Sequence, residues 1–311
     1  MAKFACIFPG QGSQFVGMGR DLYDADPVAK QCFDEADRVL GFGLSDICFE
    51  GPEERLRETR FTQPAILTHS VAVWRLFENA GGEPDFVAGH SVGEYAALVA
   101  AGVLRFEDAL LLVRERAEAM YSAGLQRPGA MAALIGLPPA NLDGLLEEAG
   151  KNGVVAAANY NSPIQVVISG EVRSVEVAME KAKNMGAKRA IRLNVSGAFH
   201  SPLMEPAGKK LATRLEETSL SPAQIPIVSN VTAAPVSEPE EIADLLSRQL
   251  TSPVLWHQSM QFLWEQGVGS YAEVGPGTVL CGLLKRISRD AVCSSCSDEK
   301  SVTEFLEGVL A

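Results

Sequence analysis

PDFVAGHSVGEYAALVAAG, residues 84–102, decides how the rest of the chain is read. DFVAG (85–89) is a short apolar run and reads as a buried strand, whereas Val92–Ala101 reads as a helix closed by Gly102. Only His90 and Ser91 lie between them. A strand running into a helix through G-x-S-x-G is the setting of a nucleophile elbow. Ser91 also fits a competing role, because Ser91 and Glu94 make the S-x-x-E of a capping box, which would tie the hydroxyl to the helix amides. A cap needs no glycine two residues before it and two after it. A strained turn does, because backbone must pass close by without a Cβ. Such a turn would also aim the Val92 N–H, at the positive end of a helix, where an oxyanion would form. The elbow is therefore the preferred reading.

Working outward, KFACIF (3–8) reads as a buried strand that ends in the turn PGQGSQ (9–14). PAILTHSVAVWRLFENA (64–80) and residues 106–122 read as helices. Strands and helices alternating at this spacing predict a mostly parallel, doubly wound α/β sheet. PGQGSQ is not a nucleotide loop, since GxGxxG fails at Phe15 and no GK[ST] follows. At the carboxyl end of a strand, it is placed to offer backbone N–H groups to the elbow.

The middle of the chain changes character. MAALIGL (131–137), VVAAANY (154–160), QVVIS (165–169) and AIRLNV (190–195) read as strands, with helices after the first and third. That β-α-β-β-α-β order predicts a ferredoxin-like unit. Residues 127–195 are thus expected to form a small domain inserted into a large catalytic domain of residues 1–126 and 196–311. In the latter, helices are expected near 202–217, 239–251, 256–266 and 278–289, strands at IPIVSN (225–230) and SYAEVG (270–275), and a loop at CSSCSDEK (293–300).

With 311 residues, 47% of them hydrophobic, the chain can bury a large core. A formal net charge of −12 argues against nucleic acid as the main partner. No apolar run reaches the roughly 20 residues of a membrane span, and the start MAKFACIF lacks the pattern of a secretory signal. Cysteines 6, 32, 48, 281, 293 and 296 follow no regular spacing and are expected to be reduced thiols of a cytoplasmic protein. Cys293-Ser-Ser-Cys296 stands without a second ligand pair, so no metal is expected. One basic stretch, Lys181 to Arg192, could meet an acidic partner or be a solvated helix face.

A serine nucleophile needs a base. His69 lies inside an apolar helix, His90 is adjacent to Ser91 and points away, and His257 sits at a helix start with no loop to present it. His200 ends the loop SGAFH before Ser201-Pro202, a helix N-terminus that would favour a neutral imidazole. Its alternative role is packing at the domain junction. On the helix at 106–122, Arg116 shares the apolar face of Ala109, Leu112, Val113 and Met120. A buried guanidinium requires a partner, either an internal Asp or Glu or a carboxylate of the substrate.

FPGQGSQ, GHSVGEY, an arginine 25 residues beyond the serine, GAFHSP and EVGPG, in this order, resemble the bacterial malonyl-coenzyme A:acyl carrier protein transacylases. The resemblance spans about residues 3–290. It implies a hydrolase-like large domain with a ferredoxin-like small one, and a malonyl ester on Ser91. His200 would be the base, oriented by the backbone carbonyl of Gln249; the Gln11 and Val92 amides would form the oxyanion hole; Arg116 would clamp the malonyl carboxylate. Asn159 and Asn161 match a motif near the cleft. Phe199 corresponds to the bulky aromatic of related malonyl-selective acyltransferases, and would disfavour methylmalonyl by ~1–3 kcal/mol. The partners implied are malonyl-CoA and acyl carrier protein, with neither metal nor cofactor; a monomer is expected, with no nucleic acid or membrane involved. Competing readings are a trans-acting polyketide-type malonyltransferase, a serine thioesterase or esterase, and a non-catalytic carrier-binding module.

Overall fold

The structure, a computed structural model, describes residues 3–195 and 197–310. Met1, Ala2, Ser196 and Ala311 lie outside the described residues, and with Ser196 the expected start of the large domain's second segment. β1 (Lys3–Phe8) is followed by α1 (Arg20–Ala25), α2 (Pro27–Leu40), α3 (Leu44–Glu50), α4 (Glu53–Arg57) and α5 (Thr59–Asn79). Next come β2 (Phe86–Gly89), α6 (Gly93–Ala100) and α7 (Phe106–Gln126), then β3 (Gly129–Ile135), α8 (Leu142–Gly150), β4 (Val155–Ser162), β5 (Gln165–Glu171), α9 (Val172–Asn184) and β6 (Arg189–Arg192). The chain continues with α10 (Glu205–Glu216), β7 (Ile227–Val228), β8 (Pro235–Val236), α11 (Pro239–Gln249) and α12 (Trp256–Glu265). It closes with β9 (Val268–Val274), α13 (Val279–Ile287), β10 (Val292–Cys296) and α14 (Glu299–Leu310).

The larger sheet has the order β10-β9-β1-β2-β7-β8, with every neighbouring pair parallel except β7–β8. Alternation along β1 feeds two cores: Phe4, Cys6 and Phe8 face one layer of helices, while Ala5 and Ile7 face the other with Trp256, Leu280 and Leu284. The second sheet is antiparallel, ordered β4-β5-β3-β6, and is ferredoxin-like. On its outer face Ala130, Ala132 and Leu134 of β3 pack with Leu145 of α8 and Val175 and Ala178 of α9. On its inner face Met131, Ala133 and Val167 join the main core. One strand therefore serves both an internal core and the joint with the larger sheet.

Three expectations need correction. CSSCSDEK is not a loop: Val292–Cys296 is β10, paired parallel to β9. Ser and Cys carry little strand signal, and the pairing comes from β9 rather than from local preference. The expected six reduced thiols become four, because Cys281 and Cys293 form a disulfide with Cα atoms 5.4 Å apart. These two meet only once α13 has folded back across the sheet, which spacing alone does not reveal. Strand alternation turns Cys296 into the opposite core, so Cys293 and Cys296 do not act as a pair. Finally, α5 begins at Thr59 rather than near Pro64, with that proline inside it; so near the N-terminus a proline forgoes a single intrahelical bond. Helices α1 to α4 fill residues 20–57, which the periodicity left unassigned, and of these only α2 exceeds two turns.

α6 lies directly on the sheet. A Cβ on Gly93 would run into the carbonyl oxygens of Phe8 and Pro9, and one on Gly89 into the backbone of Gly93. Gly93→Ala should therefore cost about 1–3 kcal/mol from overpacking, read as a lower urea midpoint. Gly282→Ala, in α13 with open space around it, should be neutral or slightly stabilising. Equal effects of the two changes would show that close backbone approach does not hold the elbow.

Candidate active site

Ser91 has φ 53° and His200 φ 56°, two of the three non-glycine residues with positive φ among the described residues. Left-handed backbone at a side chain of this kind costs of order 1–3 kcal/mol and persists only where its surroundings enforce it. At Ser91 the enforcement is visible. Asn230, two residues beyond the carboxyl end of β7, accepts from the Ser91 N–H at 2.7 Å and donates to the Gly89 carbonyl at 2.6 Å. α6 starts at Gly93 with no side-chain cap. The Ser91 hydroxyl is thus not consumed by the helix, and the capping-box reading fails.

That hydroxyl stands 2.7 Å from His200 Nε2. On the far side of the ring, Nδ1 faces the carbonyl oxygens of Gln249 at 2.9 Å and Ser252 at 3.2 Å. Carbonyls only accept, so Nδ1 carries the proton and Nε2 is left with its lone pair toward Ser91. Burial pushes the imidazole down from its ordinary value to about 3, and the Arg116 charge pushes the same way. A neutral His200 over the physiological range is the form a base requires.

Arg116 is fully buried. The carboxylate considered as its partner is not in direct contact; side-chain oxygens surround it instead. Nη1 donates to Gln63 Oε1 at 2.6 Å, while Nη2 donates to Gln249 Oε1 at 2.9 Å and to Ser91 Oγ at 3.0 Å. Its Nε finds no acceptor, and burial depresses its pKa. A carboxyl group, Glu94, is reached through Gln249, whose Nε2 donates to Glu94 Oε2. Burial pushes the Glu94 carboxyl up to about 7, against the pull of its Gln249 and Asn230 donors and the Arg116 charge.

Ser91, His200, Arg116 and Gln63 line a cavity of about 140 Å³ between the two sheets. Gln11, Val92 and Phe199 line it too, as do Asn159 and Asn161 from β4. Asn161 Oδ1 lies 2.9 Å from His90 Nε2, so His90 is turned away from Ser91 as the sequence implies. The rest of the wall is apolar, with Met120, Met131 and Val195 among its members.

Residues 5–305 match the model of the acyl transferase domain. The chain is 47% identical over 303 residues to the malonyl CoA-acyl carrier protein transacylase of Bacillus subtilis, covering 97% of this chain and 96% of that one. It is 44% identical over 308 residues to the Escherichia coli K12 protein of the same name, covering 99% and 100%. The chain belongs to the acyl transferase family, among the malonyl CoA-acyl carrier protein transacylases. In three dimensions it matches, with TM-score 0.95 and 45% identity over 99% of this chain and 100% of the other, a malonyl-transacylase solved in complex with its type II PKS acyl-carrier protein.

For a transacylase of this family, three parts of the site escaped the sequence reading. Gln63 sits one residue before the expected start of its helix, and so was assigned to no face. Asn230 lies two residues beyond the carboxyl end of the parallel strand β7, a position that marks ligand sites in such sheets, but a lone asparagine there carries no further signal. The resemblance points to the backbone carbonyl of Gln249 and not to its side chain. In the basic stretch, Lys181 pairs with Glu148 and Arg192 with Glu176 at the surface. Glu273, Cys281 and Cys293 lie close enough together to suggest a metal group. The two sulfurs are bonded to each other, however, and Glu273 already accepts the Leu280 and Cys281 N–H groups.

The depressed His200 pKa has a direct consequence for pH. An ordinary histidine near 6.5 would lose about tenfold in neutral base by pH 5.5, whereas one held near 3 loses almost none. Modification of Ser91 by phenylmethanesulfonyl fluoride should therefore keep its rate between pH 8 and 5.5. A limb falling through pH 6.5 would contradict a desolvated base.

Proposed function

We propose that this chain transfers the malonyl group of malonyl-CoA to the phosphopantetheine thiol of acyl carrier protein through a malonyl-Ser91 ester. The observation that carries this reading is the meeting of two groups on one oxygen: Ser91 Oγ lies 2.7 Å from a neutral imidazole and 3.0 Å from a buried guanidinium. An esterase needs the first contact but has no use for the second.

In the first half-reaction His200 Nε2 takes the Ser91 proton as Oγ attacks the thioester carbonyl. The Val92 and Gln11 amides receive the developing oxyanion, and Arg116 grips the distal carboxylate. When the tetrahedral intermediate collapses, the imidazolium returns its proton to the departing coenzyme A sulfur. In the second half the carrier thiol attacks, gives its proton to His200, and Ser91 recovers one as it leaves. Backbone carbonyls orient His200 in the place an aspartate holds in a triad. A cavity of about 140 Å³ has room for a three-carbon acyl group but not for the nucleotide of coenzyme A. Both thiols therefore enter from outside, and Phe199 crowds an α-methyl branch.

On this reading residues 127–195 are a small domain that supplies one wall of the cleft, and the protein is a cytoplasmic monomer without a metal. Mixing with malonyl-CoA and measuring intact mass should show a single malonyl adduct, absent in Ser91→Ala; steady release of free malonate instead would mark a hydrolase. Arg116→Ala should lower malonyl transfer by about 2–5 kcal/mol and spare acetyl transfer. Equal losses for the two acyl groups would reject the clamp.

A further inference from the structure

We propose that Glu94 is a positioning residue for the carboxylate clamp: from the nucleophile's own helix it fixes which way the Gln249 amide points, and through that amide it holds Arg116. The inference rests on reading Arg116 as the malonyl clamp. Gln249 is buried, and the two ends of its amide have opposite polarity. Nε2 donates to Glu94 Oε2 and, at 3.1 Å, to the Ser91 carbonyl, while Oε1 accepts from Arg116 Nη2 at 2.9 Å. Turned over, the amide would point its NH2 group at a guanidinium that has only donors, and its oxygen at a carboxylate and a carbonyl. All three contacts would be lost among buried side chains. The orientation is set by the group that can least do without a donor, the buried carboxylate.

The other oxygen of Glu94 accepts from the Asn230 backbone N–H at 3.2 Å, and the Asn230 side chain holds the Ser91 N–H. Glu94 thus meets donors on both oxygens and ties clamp and elbow together. In Glu94→Gln, with the amide oxygen kept on the Asn230 N–H, the new NH2 faces Gln249 Nε2, a donor facing a donor. Gln249 can relieve that only by turning over, which deprives Arg116 of its acceptor. The expected result is a fall in kcat/KM for malonyl-CoA of about ten- to a hundredfold, the size of one hydrogen bond to a charged group. The fall should lie mainly in KM, with acetyl transfer little changed. Gln249→Leu should lower the malonyl-to-acetyl ratio similarly, and adding Glu94→Gln to it should cost nothing more; if Glu94→Gln does not fold, Gln249→Leu carries the test alone. Equal losses for malonyl and acetyl, or additive losses in the double variant, would overturn the proposal. A wild-type protein that never carries malonyl on Ser91 would overturn clamp and inference together. A malonylated wild type whose ratio survives Glu94→Gln overturns the inference only.

Discussion

A guanidinium buried without direct contact to a carboxylate has to be kept charged by dipoles, and the arrangement around Arg116 shows how that is done. Gln63 comes from α5, Gln249 from the end of α11 and Ser91 from the elbow between β2 and α6; each brings one oxygen to the same two nitrogens. A buried cation left with partners of this kind is poorly compensated. Its Nε lacks an acceptor; burial depresses its pKa, and its charge adds to the burial that depresses His200. On the proposed reading that buried charge draws a dicarboxylic acyl group, and together with burial it leaves His200 free of its proton at rest.

The fold makes such a concentration affordable by building the site from backbone. Gly89 and Gly93 let α6 approach the carboxyl ends of β1 and β2, where parallel sheets expose the N-termini of their helices. Ser91 and His200 both sit in left-handed backbone; Asn230 ties down the first through its N–H, and the Gln249 and Ser252 carbonyls fix the ring of the second. The small sheet then closes the cavity with side chains from β3, β4 and β5.

Much of this was legible in the amino-acid order. The elbow announced itself because glycine placement is a local signal, and Arg116 because a charge on an apolar helix face is a periodic one. The β-α-β-β-α-β order gave the second sheet because each of its strands carries its own hydrophobic pattern. What escaped depended on contacts between distant parts of the chain. β10 is a strand only by virtue of β9, Cys281 finds Cys293 only once α13 has folded over, and Gln63 and Asn230 matter only because the elbow sits between them. Among the helices of residues 20–57, α1, α3 and α4 are too short for their apolar residues to establish a period, whereas α2 buries Ala29, Cys32, Phe33, Ala36 and Leu40 at a helical spacing that the sequence does carry.

The close approach of Gly89 and Gly93 also limits what this scaffold can become. With no room for a side chain beneath the serine, the floor of the pocket is closed to substitution, whereas its ceiling of Met120, Met131, Val195 and Phe199 is ordinary apolar packing that tolerates exchange. Descendants of such a chain can widen or narrow their acyl repertoire from above while the chemistry beneath stays fixed.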